Sequence, residues 1–255
     1  MKESDINRRV SWGTFRIAAS AAALWALAAV ASGDPPAEPA RVNLPVADHA
    51  APAGKDDAAV ELRLPVEWNK DPLAASKEIA RRLQALDTQA RATGKAAGEA
   101  TLTLAADRDL RWAVFLDAVI QAQKRAFQPR IACVREENGR DAVFLTLWLG
   151  ESSKSATRPT GPRGRLESIE VKVVAVGADA GEARYKMDNA ELASLEDLAA
   201  RIRDAIRRVR SGQSVVVLRT EGNPRVQQVI TAFNVAVGAG AERITVEKVP
   251  QTGRP

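Results

Sequence analysis

"LTLAADRDLRWAVF", residues 102–115, reads as three things in succession. A short alternating strand comes first, then an acidic turn at Asp107-Arg108-Asp109. The start of an amphipathic helix follows, with Trp112, Phe115, Leu116, Val119 and Ala126 at helical spacing. An Asp-x-Asp turn between strand and helix can hold a metal, work as a catalytic pair, or cap the helix. Which of these applies depends on whether the chain repeats the arrangement without its carboxylates.

Working outward, residues 58–66 (AAVELRLPV) alternate as a strand, and residues 71–94 follow as a helix with Ile79, Leu83, Leu86 and Ala90 on one face. The helix after the acidic turn leads into a strand, Arg130 to Val134. The same order then returns. Residues 167–177 alternate as a strand, and 183–189 (ARYKMDN) offer a paired neighbour. Ser194 with Asp197 has the form of a helix N-cap, ahead of a stripe of Leu195, Leu198, Ile202, Ala205, Ile206 and Val209. Gly212 stops that helix, and residues 214–220 (SVVVLRT) form a strand. Asn223-Pro224 reads as an N-cap and first-turn proline for a last helix bearing Val226, Val229, Ile230, Phe233 and Val237. Gly238-Ala239-Gly240 is a helix stop, and residues 243–249 close as a strand.

A gap-free alignment matches Ile131 with Ile244 (244 − 131 = 113), Leu104 with Val217 and Leu116 with Val229. In the first helices Ile79, Arg82 and Leu83 match Leu198, Arg201 and Ile202. The fold expected is α+β, with two tandem units, 58–136 and 166–250, each of two helices on one face of a small mixed sheet. Residues 137–165 hold an extra strand and a basic linker, and 251–255 a tail. In this alignment Thr220 stands for Asp107 and Gly222 for Asp109, so no acid pair is shared. Asp109 is then expected to cap its helix.

Composition narrows the chemistry. The 255 residues are 45% hydrophobic and 27% charged, a globular balance, with net charge +5. Cys133 is the only cysteine and His49 the only histidine, so an internal disulfide and a His/Cys zinc site are excluded. No P-loop, HExxH or GxSxG motif occurs. Cys133 fits a small buried strand residue. Arg203, Arg207 and Arg210 share a helix face that reads as solvated, and nucleic acid is not an expected partner. Catalytic residues, cofactors and metals are not expected; binding residues are not assigned.

The N-terminus opens with a basic segment, residues 1–16, before Ile17 to Gly33, which is uncharged and Ala-rich. This length is at the lower limit for a membrane span, and Ala29-Val30-Ala31 also fits a signal cleavage site. Anchor and signal h-region both put Asp34 onward beyond the inner membrane. Residues 34–57, rich in Pro and Ala, are expected to be a disordered spacer.

A basic-flanked hydrophobic segment, a spacer and this unit together resemble the ExbD/TolR biopolymer-transport family. Residues 102–134 carry the resemblance, with Asp107, Trp112 and Val114 at the family's turn. The later copy keeps the apolar frame and Ala239-Gly240 before its last strand. The resemblance implies a non-enzymatic, single-pass inner-membrane protein with periplasmic domains, part of an energised transport or envelope-maintenance complex. It implies a homo-oligomer, a polytopic ExbB/TolQ-like proton-channel subunit and peptidoglycan as partners. The chain departs from the family in having no ionisable residue for a proton relay within Ile17–Gly33. The alternative is an exported binding or scaffolding module, cleaved near Ala31, that keeps the fold without motor coupling.

Overall fold

The computed structural model describes residues 42–52, 60–92, 101–135, 142–146, 148–150, 167–177, 181–209 and 214–247. The expected anchor or signal segment, both ends of the spacer, the basic linker and the tail lie outside the described residues.

Among the described residues, four α-helices and two sheets make a mixed α+β architecture. The first half runs β2 (Val60–Leu64), α1 (Pro72–Ala92), β3 (Thr101–Ala106), α2 (Trp112–Lys124) and β4 (Gln128–Val134). The second runs β7 (Glu167–Val176), a hairpin of β8 (Glu182–Met187) and β9 (Ala190–Glu191), α3 (Leu195–Arg208), β10 (Ser214–Glu221), α4 (Val226–Gly238) and β11 (Ile244–Glu247). β2, β3 and β4 are mutually parallel, as are β7, β10 and β11. The order strand–helix–strand–helix–strand therefore occurs twice. Between the halves, β5 (Ala142–Thr146) pairs antiparallel with β4, while β6 (Trp148–Gly150) pairs parallel with β11. The extra strand expected there contributes to both sheets.

Local chemistry sets the helix ends. Asp71 Oδ1 accepts from the N–H groups of Leu73 and Ala74 at 3.1 and 2.9 Å, ahead of Pro72 at the first helical position of α1. Ser194 Oγ accepts from Asp197 N at 3.1 Å, the cap read from the sequence. α2 and α4 close alike. Ala126 N donates to Gln123 O and Phe127 N to Ala122 O, while Gly240 N donates to Val237 O and Ala241 N to Ala236 O. Both closures put the turning residue at positive φ, 61° for Ala126 and 93° for Gly240.

The core joins alternate strand residues to one helix face. Leu62, Leu64, Leu102, Leu104 and Ile131 pack with Ile79, Leu83, Phe115 and Val119 in the first half. Val171, Val173, Val216 and Leu218 pack with Leu198, Ile202, Val229 and Phe233 in the second. Its other face mixes partly buried valines, Val174, Val215 and Val217, with charged side chains. Arg219 pairs there with Glu170 and Glu247, and Lys172 with Glu170 and Glu221.

Two sequence expectations change. First, buried positions of α2 and α4 coincide at a separation of one more than expected: Trp112 with Val226 (226 − 112 = 114), Phe115 with Val229, Leu116 with Ile230, Ala118 with Ala232, Ala122 with Ala236. The ladders agree. Leu62 pairs with Leu104 and Val171 with Leu218, so Leu104 corresponds to Leu218 and not to Val217. Ile131 corresponds to Val246, through Leu104↔Ile131 and Leu218↔Val246, a separation of 115 (246 − 131 = 115) that is two more than expected. A one-residue slip in a strand reverses its faces. Val217 is only half-buried, whereas Leu104 and Leu218 are fully buried. The expected match of Ile79 and Leu83 with Leu198 and Ile202 agrees with the burial of all four.

Second, residues 42–52 are not a disordered spacer. Ala47 and Ala50 are buried, Ala47 N and Val134 N bond across to Val134 O and Pro45 O, and β1 (Ala51–Pro52) pairs with β5. Such a segment is held by backbone hydrogen bonds and has no apolar period, so its sequence resembles a linker's.

Candidate functional site

The acidic turn after β3 meets its counterpart after β10. With the corrected separation, "ADRDLR" (106–111) corresponds to "TEGNPR" (220–225), so Asp107 answers to Glu221 and Asp109 to Asn223. The two turns face each other in a reciprocal way. Trp112 N donates to Pro224 O at 2.7 Å, and Val226 N donates to Leu110 O at 2.8 Å. Arg111 and Arg225 form an antiparallel bridge between these bonds. The side chains follow the same exchange: Arg225 Nη1 donates to Asp109 Oδ1 at 2.7 Å, and Arg111 Nη1 to Asn223 O at 3.5 Å. Each turn thus donates to the other and accepts from it.

The helix starts depend on this exchange. Asp109 does not cap α2, contrary to the sequence expectation. Ala113 N instead donates to Asn223 Oδ1 at 2.9 Å, from the opposite half. In return, Gln227 N of α4 donates to Arg108 O at 3.0 Å. Asn223 and Pro224 therefore do not cap and open their own helix; Arg225 is its N-cap residue. A cap supplied from a distant segment leaves no local sequence trace.

Asp107 is buried, and its carboxylate is committed to main chain. Oδ1 accepts from Asp109 N at 2.9 Å and Oδ2 from Asn43 N at 3.1 Å. Asn69, in a short 3-10 turn before α1, braces the same loop by donating to Asp109 O and accepting from Arg111 N. Residues 42–50 then tie both halves together. Gln227 accepts from Val46 N and donates to Val46 O, and Asn234 Oδ1 accepts from His49 N at 2.9 Å. The His49 ring lies over Gly238, where a Cβ would come within 2.5 Å of Nε2. His49 is thus a packing residue along α4.

A shallow, open depression of about 430 Å³ lies at this junction, lined by Val46, Arg108, Asp109 and Gln227. Its polar groups are engaged: Asp109 with Arg225, and the Gln227 amide with Val46 and Thr231. Cys133 is buried, and burial pushes its thiol up to about 12. At neutral pH it is a packed apolar group and not a nucleophile. Burial also pushes Tyr185 up to about 12, and its hydroxyl donates to Gln228 O. Among the described residues no group of three or more His, Cys, Asp or Glu could hold a metal ion, and no helix is long and apolar enough to cross a membrane. Arg203 and Arg207 are exposed on α3, where Arg207 pairs with Asp204; Arg210 lies outside the described residues.

No protein-family model matches the chain, and no curated protein matches it.

Proposed function

We propose that this chain is a non-enzymatic, ExbD/TolR-like component of the cell envelope, built from two copies of one unit and tethered through Ile17–Gly33 to the inner membrane. One observation carries the non-enzymatic reading. In parallel sheets the chemistry gathers in loops at the carboxyl ends of the strands. Here the loops after β3 and β10 are spent on each other, through Trp112 N–Pro224 O, Val226 N–Leu110 O and Arg225–Asp109. Loops used in that way support a rigid body that binds or transmits force, rather than one that turns over a substrate.

The tether carries no ionisable residue, so any proton relay belongs to a partner, a polytopic ExbB/TolQ-like subunit. Peptidoglycan is the partner expected on the far side. The test is purification of the full chain from membranes in detergent, with mass spectrometry of its N-terminus and its co-purifying proteins. An uncleaved chain held with a polytopic subunit supports the reading. A mature chain beginning near Ser32 with no membrane partner overturns it in favour of the exported scaffolding module.

A further inference from the structure

β2 ends the first sheet, with β3 as its one neighbour among the described residues. Leu64 O accepts from Asp107 N, towards β3. Strand alternation therefore turns the peptide groups of Val60 and Leu62 the same way and those of Glu61 and Arg63 outward. The second half shows what such an edge accepts. Its corresponding strand reads Ile169-Glu170-Val171-Lys172-Val173 for Val60-Glu61-Leu62-Arg63-Leu64, the same pattern of apolar, acidic, apolar, basic, apolar. There the outer edge is covered by β8, antiparallel, with Lys172 opposite Lys186 and Val173 opposite Tyr185. The first half has no such hairpin between β2 and α1.

We propose that β2 is a docking edge on which a second copy of this chain adds its own β2, antiparallel, about a two-fold axis at Leu62. The strand is complementary to itself in that register and in both faces. Glu61 falls opposite Arg63 of the other copy, and Arg63 opposite its Glu61, while Val60 and Leu64 meet on the apolar face. Glu61 and Arg63 now pair along the strand at 2.7 Å with half-exposed side chains. Across the axis the same four charges form an alternating square, and opposite charges in directly facing positions favour pairing. Charges on an edge strand can also serve to repel partners. In β7, flanked by β8 and β10, the equivalent charges Glu170 and Lys172 sit in ion pairs with Arg219 and Glu221 of the neighbouring strand β10, so these positions serve pairing between strands there. The surface is distinct from the internal junction at Arg111 and Arg225, so the assembly would contain four units.

The experiment uses the full chain in detergent, with sedimentation to read its oligomeric state. Wild type is expected to dimerise. Glu61→Arg and Arg63→Glu each place like charges opposite one another at two sites and raise the dimer Kd by about tenfold. The combined Glu61→Arg, Arg63→Glu variant restores the alternating square and returns Kd towards wild type. Thermal melting checks that each variant stays folded. Chains bearing Glu61→Cys mixed with chains bearing Arg63→Cys should form a disulfide between copies on oxidation, and neither alone should, because only the facing pair lies within bridging distance. A monomeric wild type, a dimer indifferent to both single reversals, or cross-linking of either cysteine variant with itself would overturn the proposal.

Discussion

Asp107 and Asp109 sit two residues apart and do different work. Asp107 is buried and accepts from two main-chain N–H groups, whereas Asp109 is half-exposed and makes one ion pair. Asp107→Asn replaces one accepting oxygen with a donor that faces an N–H, at an expected cost of about 1–3 kcal/mol. Asp109→Asn weakens a solvent-screened pair and should cost only about 0.2–1 kcal/mol. Denaturant unfolding of the two variants measures the order, and an equal or reversed order would contradict these roles. A second residue-scale expectation concerns Ala126, at positive φ where its counterpart is Gly240. Ala126→Gly should stabilise by about 0.5–1 kcal/mol and Gly240→Ala should destabilise by a similar amount, because a Cβ is disfavoured in the left-handed region. Unfolding midpoints that do not move in opposite directions would rule out the shared helix closure. The roles of Asp107 and Asn223 could not be read from the sequence. Their partners, Asn43 N and Ala113 N, are 64 and 110 residues away.

At the scale of elements, α1 carries its own electrostatic device. Arg81 and Arg82 both hydrogen-bond Glu78, at 2.6–2.7 Å. Chiefly the Arg81 bond, and then Arg82 against the opposing effect of partial burial, holds the Glu78 carboxyl down at about 2. A lowered folded-state value means stability that is present above the ordinary 4.5 and is lost as pH falls towards 2. The pairs are largely solvated, so the gain is about 0.3–0.5 kcal/mol each. Glu78→Gln should melt below wild type at neutral pH, and the gap should close as pH approaches 2; a gap independent of pH would contradict the assignment. Helices were legible from the sequence because Ile79, Leu83, Leu198 and Ile202 recur at helical spacing and are all buried. The register of β10 was not. Val215-Val216-Val217-Leu218 is apolar at every position, so its alternation is hidden, and the outer face leaves Val215 and Val217 half-buried. Residues 42–52 look like a spacer for the opposite reason: they are fixed by main-chain bonds that any sequence without special shape can make.

For the whole molecule, the decisive feature is the junction at which two like halves exchange hydrogen bonds and helix caps. If that junction is built in, its amides belong to the same cooperative unit as the sheets. The most direct measurement is hydrogen–deuterium exchange of the full chain in detergent, resolved to the segments holding Trp112, Ala113, Val226 and Gln227. These amides are bonded across the halves to Pro224 O, Asn223 Oδ1, Leu110 O and Arg108 O. The expected result is slow exchange in both segments, lost together in Asn223→Ala while β3 and β10 stay protected. Fast exchange at both helix starts in the wild-type chain, with β3 and β10 protected, would show that the halves are independent and the turns free, and would contradict the reading of this molecule as one locked body.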